Sequence, residues 1–199
     1  MKKINKLIAI IVIMFLLVTI LIHNKHFLKK EKFEIAIPQK SLCLNYQEKY
    51  NENISQKILV ESQKYLNIPY LLGSKYKDVN AKNPKDKYEA IDCSDFVEAV
   101  LEKVLATDFA STSAELAYQL KNNCVSYENI KPGDIIFWQD INNERVFKRY
   151  SQIFHVAIYV GHNRVIEATQ NEKYNIKEVV YSDLFRNRGG TLVMIARAY

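Results

Sequence analysis

Two side chains in this 199-residue sequence have the types and settings of a nucleophile and its base, Cys93 and His155. Cys93 follows the acidic Asp92 and opens a run in which Phe96, Val97, Val100, Leu101, Val104 and Leu105 form a wide apolar stripe. That spacing predicts a helix beginning at the cysteine. A helix N-terminus presents unpaired N–H groups and a partial positive charge, which stabilise a thiolate. The same N–H groups can hold the oxyanion of a tetrahedral intermediate. The alternative is a small thiol that merely packs the helix start.

A thiolate nucleophile needs a base, and the chain has four histidines. His23 and His26 flank an apolar N-terminal run, and His162 sits in a Gly-His-Asn turn. His155 lies in a strand candidate, Ile153–Val160, whose alternation puts Phe154, Val156, Ile158 and Val160 on one face. The other face carries Ile153, His155, Ala157 and Tyr159, and the small Ala157 leaves room beside the imidazole. A half-buried structural histidine is the competing reading. The base in turn needs a group to orient its ring. Glu167 lies on the next strand candidate, and a hairpin through Gly161, His162 and Asn163 brings it near the level of His155. Otherwise it is a solvated strand carboxylate. No CxxC or Cys/His spacing suggests a metal site, and the chemistry requires no cofactor.

These residues must be held by surrounding elements. A helix is expected from Asn53, with Ile54, Ile58, Leu59, Ser62 and Leu66 at helical spacing and Asn53 as its cap. Pro69 and Gly73 break the chain, and Ser74–Ala90 reads as a charged loop. After the cysteine helix, Thr112–Lys121 reads as a second short helix. The period then changes to two, with strands expected at Asp134–Trp138, Ile153–Val160, Arg164–Thr169, Ile176–Tyr181 and Thr191–Ala198. Helices first and strands after give an α+β class, helices packed on an antiparallel sheet.

The net charge of +6 is confined to one end. Residues 1–32 hold seven lysines and one acid, Glu31, while the remaining 167 residues hold 21 basic and 21 acidic side chains. A neutral body gives no sign of a nucleic-acid partner. Leu7–Ile22 are sixteen residues without a charge, preceded by three lysines. A spanning helix usually needs about 20 residues, so this one borrows from its flanks or thins the bilayer. After Ile22 no small residue appears before Ala36, which favours an uncleaved signal anchor over a cleaved signal peptide or a buried helix. The expected organisation is a membrane segment within 1–32, a linker at 33–52 and one domain at 53–199. Lysines flank the run on both sides, so charge does not orient it. Of Cys43, Cys93 and Cys124, one stays free if the other two pair. In an exported chain, Cys43–Cys124 is one such pairing.

Six stretches resemble the NlpC/P60 family of cysteine peptidases, in that family's order. They are PYLLG at Pro69–Gly73, DCSDFV at Asp92–Val97, TSAE at Thr112–Glu115, KPGDIIFW at Lys131–Trp138, HVAIYVG at His155–Gly161 and RVIEAT at Arg164–Thr169. The resemblance implies a papain-like fold with the cysteine helix packed on a central antiparallel sheet. It implies Cys93 as nucleophile, His155 as base and Glu167 in the third catalytic place, which is most often histidine in the family. It implies that Tyr70, Asp92 and Ser94 hold the free amine of an N-terminal L-alanine. The substrate implied is a peptidoglycan stem peptide, cut between the γ-carboxyl of D-glutamate and the diamino acid. The protein would then act in the cell envelope, anchored to the membrane with its domain outside the cytoplasm. Ser74 and Asp95 stand where the family usually has glycines. The segment between Gly73 and Cys93 is longer than usual and carries Lys75, Lys77, Lys82, Lys85 and Lys87. Two other functions fit the same residues: an amidase or acyltransferase of the superfamily with another substrate, and a non-catalytic scaffold that binds wall peptides.

Overall fold

The computed structural model describes residues 42–47, 49–140, 153–170, 175–180 and 190–199. The apolar run at 7–22, expected to enter the membrane, lies outside the described residues. Among the described residues no helix is long and apolar enough to cross a membrane.

Helix α1 is Glu52–Gln63, α2 Pro84–Lys87, α3 Cys93–Leu105 and α4 Ser113–Gln119. Strands β1 (Lys75–Tyr76) and β2 (Tyr88–Ala90) form a small ladder. Strands β3 (Ile135–Asp140), β4 (Ile153–Gly161), β5 (Arg164–Ala168), β6 (Ile176–Val180) and β7 (Gly190–Ala196) form one antiparallel sheet, in the order β6-β5-β4-β3-β7. This is the α+β arrangement expected from the change of period. Helix α1 begins two residues earlier than its pattern suggested, because the Asn51 side chain, not that of Asn53, accepts the Ile54 N–H. The stretch 74–90 is not one loop. It holds β1, α2 and β2, elements too short to show a period.

Alternation along the strands makes two cores. Ile135, Phe137, Val156, Ile158, Ile166, Ala168 and Met194 join Phe96, Val97, Val100 and Leu101 of α3 in the larger one. Burying each such side chain contributes about 1.5–3 kcal/mol. Ile136, Trp138, Ala157, Val165, Leu192 and Ile195 line the smaller core on the sheet's other face. A bulge breaks the alternation of β4. Trp138 pairs with His155 but Gln139 pairs with Ile153, so Ile153 joins the larger core while Phe154 is 43% exposed. The Phe154–Val160 face expected from strict alternation is therefore lost at its first residue.

Two further ties matter. Cys43 and Cys124 form a disulfide spanning 81 residues, and Tyr46 makes a backbone bridge to Cys124. With Leu42 and Cys43 buried, the described part of the presumed linker, 42–47, packs on the body. Arg197, 1% exposed, grips Asp134 through two bonds of 2.8 and 2.9 Å and donates to the Lys49 carbonyl at 2.7 Å. Burial pushes the Asp134 carboxyl up, and Arg197 opposes the shift. Gly133, at φ +89°, precedes this aspartate, and a Cβ there would meet Ser55 at 3.2 Å.

Candidate active site

Helix α3 places the nucleophile candidate. Asp92 caps it: Oδ1 accepts the N–H groups of Ser94 and Asp95 at 3.0 Å each and the Ser94 hydroxyl at 2.9 Å. The Phe96 N–H goes to the Asp92 carbonyl at 3.1 Å. Of the first-turn N–H groups, that of Cys93 therefore has no acceptor among the described residues. The Cys93 thiol, on a residue 7% exposed, is free.

Strands β4 and β5 supply the base and its partner. Gly161 pairs with Arg164 across a two-residue turn in which His162 and Asn163 both have positive φ, 49° and 58°. Continued up the hairpin, this register sets Glu167 one step diagonal to His155, and His155 Nε2 lies 2.7 Å from Glu167 Oε2. A carboxylate can only accept, so Nε2 carries the proton. Nδ1 is left for the Cys93 thiol, the neighbour that does most to raise the His155 pKa. The β4 bulge falls just before this residue, between His155 and Ile153. Both side chains are buried, at 8% and 0% exposure. Burial alone would push the His155 pKa down. The Cys93 sulfur and the Glu167 carboxylate outweigh it and raise the pKa to about 9. The arrangement therefore favours an imidazolium beside the Cys93 sulfur.

The structure thus brings together Cys93, His155 and Glu167, the three residues assigned to catalysis from sequence. It sets the three assigned to substrate around the same helix start. Tyr70 is half-buried and bridges the backbone of Ile91, beside Asp92. The Asp92 carboxylate, besides its three bonds at Oδ1, accepts the Gly73 N–H at Oδ2, 3.0 Å away. Ser94 spends its proton on Asp92, so its oxygen can accept from an incoming ammonium.

Two neighbours went unread in the sequence. Trp138 stands opposite His155 in the β3–β4 ladder with ring centroids 5.4 Å apart. Its place at the end of the KPGDIIFW strand was the available signal. Ser74 accepts the Asp92 N–H at 3.0 Å from across the preceding loop, a contact with no local pattern.

Comparison with known proteins agrees with this architecture. The chain is 30% identical over 119 residues to the gamma-DL-glutamyl hydrolase of Bacillus subtilis, a match covering 60% of this chain and 24% of that protein. It therefore spans about a quarter of that relative's length. The NlpC/p60 domain of the peptidoglycan hydrolase SagA superposes with a TM-score of 0.50 at 22% identity, covering 71% of this chain and 97% of the domain. NlpC1 from Trichomonas vaginalis gives 0.55 at 20%, covering 76% and 47%. These two are likenesses of fold. The model of the NlpC/P60 family matches residues 67–188, the span from Asn67 through the cysteine helix and the strands that carry His155 and Glu167, and the chain belongs to that family.

Proposed function

We propose that this chain is a cysteine endopeptidase of the cell envelope that hydrolyses peptidoglycan stem peptides at the bond between the γ-carboxyl of D-glutamate and the diamino acid. The observation that carries the reading is the buried cluster: a free thiol at a helix start and an imidazole 2.7 Å from a carboxylate, its pKa raised by that thiol and that carboxylate. In this mechanism the Cys93 thiolate attacks the γ-glutamyl carbonyl, and the oxyanion forms beside the Cys93 N–H. The His155 imidazolium then gives its Nδ1 proton to the leaving amine, and the neutral ring draws a proton from water for deacylation. Glu167 holds the ring and stabilises its charged form. Tyr70, Asp92 and Ser94 clamp the free N-terminal amine of the stem peptide, a role supported by a carboxylate and a hydroxyl oxygen beside the nucleophile. The γ-glutamyl specificity is supported by the name of the Bacillus subtilis relative.

The envelope location and membrane anchoring through residues 7–22 belong to the same proposal. The Cys43–Cys124 disulfide supports them, since such bonds persist in oxidising compartments. The test is mass spectrometry of free stem peptides, released from the glycan so that the L-alanine amine is unblocked, digested by wild type and by Cys93→Ala. The reading requires products ending in D-glutamate from the wild type alone. Intact stem peptides with the wild type, or equal cleavage by both, would overturn it.

A further inference from the structure

Every polar group of Asp92 is engaged. Its N–H goes to Ser74 Oγ at 3.0 Å, its carbonyl accepts from Phe96, and its carboxylate holds Gly73, Ser94 and Asp95. Both peptide planes flanking Asp92 are therefore fixed, and the second of them carries the Cys93 N–H, which has no acceptor among the described residues. Ser74 is an unusual residue for this task. At φ +42° it sits in the left-handed region that disfavours side chains. Such a conformation persists where the surroundings over-determine it. Here the hydroxyl accepts from the Asp92 N–H and keeps its own proton to donate.

We propose that Ser74 is a positioning residue that, through the Asp92 N–H, holds the Cys93 N–H as the donor to the oxyanion. The inference rests on the reading of Cys93 as nucleophile. It predicts that Ser74 serves acyl transfer while leaving simple thiol reactivity alone. The contrast can be read without the natural substrate. With p-nitrophenyl acetate the thiolate attacks the carbonyl, an S–C bond forms and the π pair moves onto oxygen, where the N–H meets it. The pair then returns as p-nitrophenolate leaves. With iodoacetamide the thiolate displaces iodide directly, and no oxyanion forms.

The experiment compares both rates at Cys93 in full-length wild type, Ser74→Ala and Ser74→Gly, subtracting the background of Cys93→Ala. Glycine tolerates the positive φ, so it covers the case in which alanine misfolds. Acylation should fall about tenfold in both variants, while alkylation stays within about twofold; tenfold is about 1.4 kcal/mol of barrier. Turnover of the free stem peptide should fall with KM unchanged. Loss of both rates in step would make Ser74 a structural support only, and loss of neither would remove it from the site. A wild type whose Cys93 is never acylated overturns this inference and the proposed function together. One acylated by the ester but inert toward free stem peptides overturns the substrate reading alone.

Discussion

Glu167 Oε2 and His155 Nε2 lie 2.7 Å apart across a tight β-hairpin, with the Trp138 ring beside the imidazole. Water has little access to this pair, so the charge on Glu167 acts on the imidazole at close to full strength. Glu167→Gln keeps the shape and the hydrogen bond but removes that charge. Turnover should drop by a factor between ten and a few hundred, about 1.4–3.5 kcal/mol of barrier. Glu167→His, which restores the residue most often found at this place, should keep substantial activity, while His155→Ala loses far more. Steady-state kinetics on free stem peptides decides the matter: if Gln and Ala at 167 both behave as wild type, Glu167 has no catalytic part.

The pH dependence follows from the raised His155 pKa. A histidine lifted from 6.5 to about 9 contributes stability that is full below 6.5 and is lost as pH climbs through about 9. Activity should fall over the same upper range, because a neutral ring cannot protonate the leaving amine. In Glu167→Gln this basic limb should move to lower pH. A limb that stays in place in the variant's pH–rate profile would assign it to another group.

Cys93 should be alkylated by iodoacetamide near neutral pH, while Cys43 and Cys124 label only after reduction. Peptide mapping with and without reductant distinguishes the three. Replacing both disulfide cysteines by serine frees an 81-residue loop in the unfolded chain and should cost about 4 kcal/mol, read as a lowered denaturation midpoint.

Arg197→Met leaves Asp134 buried without its cation. The expected loss is about 3–5 kcal/mol of stability in urea denaturation. Adding Asp134→Leu should recover part of it, since a buried pair replaced whole by apolar groups is far less costly than one half removed. A double variant no more stable than the single one would point to the Lys49 and Asn129 carbonyls, which Arg197 also serves.

The candidate site residues were legible because each sits on an element with a strong period. The α3 stripe begins at Cys93, and the β4 and β5 alternation with a two-residue turn puts Glu167 near His155. What could not be read depends on contacts distant in sequence. Arg197 closes the last strand with a charge that looks exposed until Asp134, 63 residues earlier, is placed against it. Ser74 lay in a lysine-bearing stretch whose elements are two to four residues long, below the length at which a period shows. The β4 bulge likewise leaves no mark in a run of alternating apolar residues, yet it turns Ile153 into the larger core and leaves Phe154 outside it.

The Cys43–Cys124 bond also decides how the molecule carries load. A pull on the chain ahead of Cys43 passes through sulfur to Cys124, whose backbone bridges Ala196 at the end of β7. The 80 residues between, α1 and the whole of α3 among them, form a covalent loop outside that path. Tension between the N-terminal side of the domain and its central sheet would therefore bypass the chain that runs through the Cys93 helix.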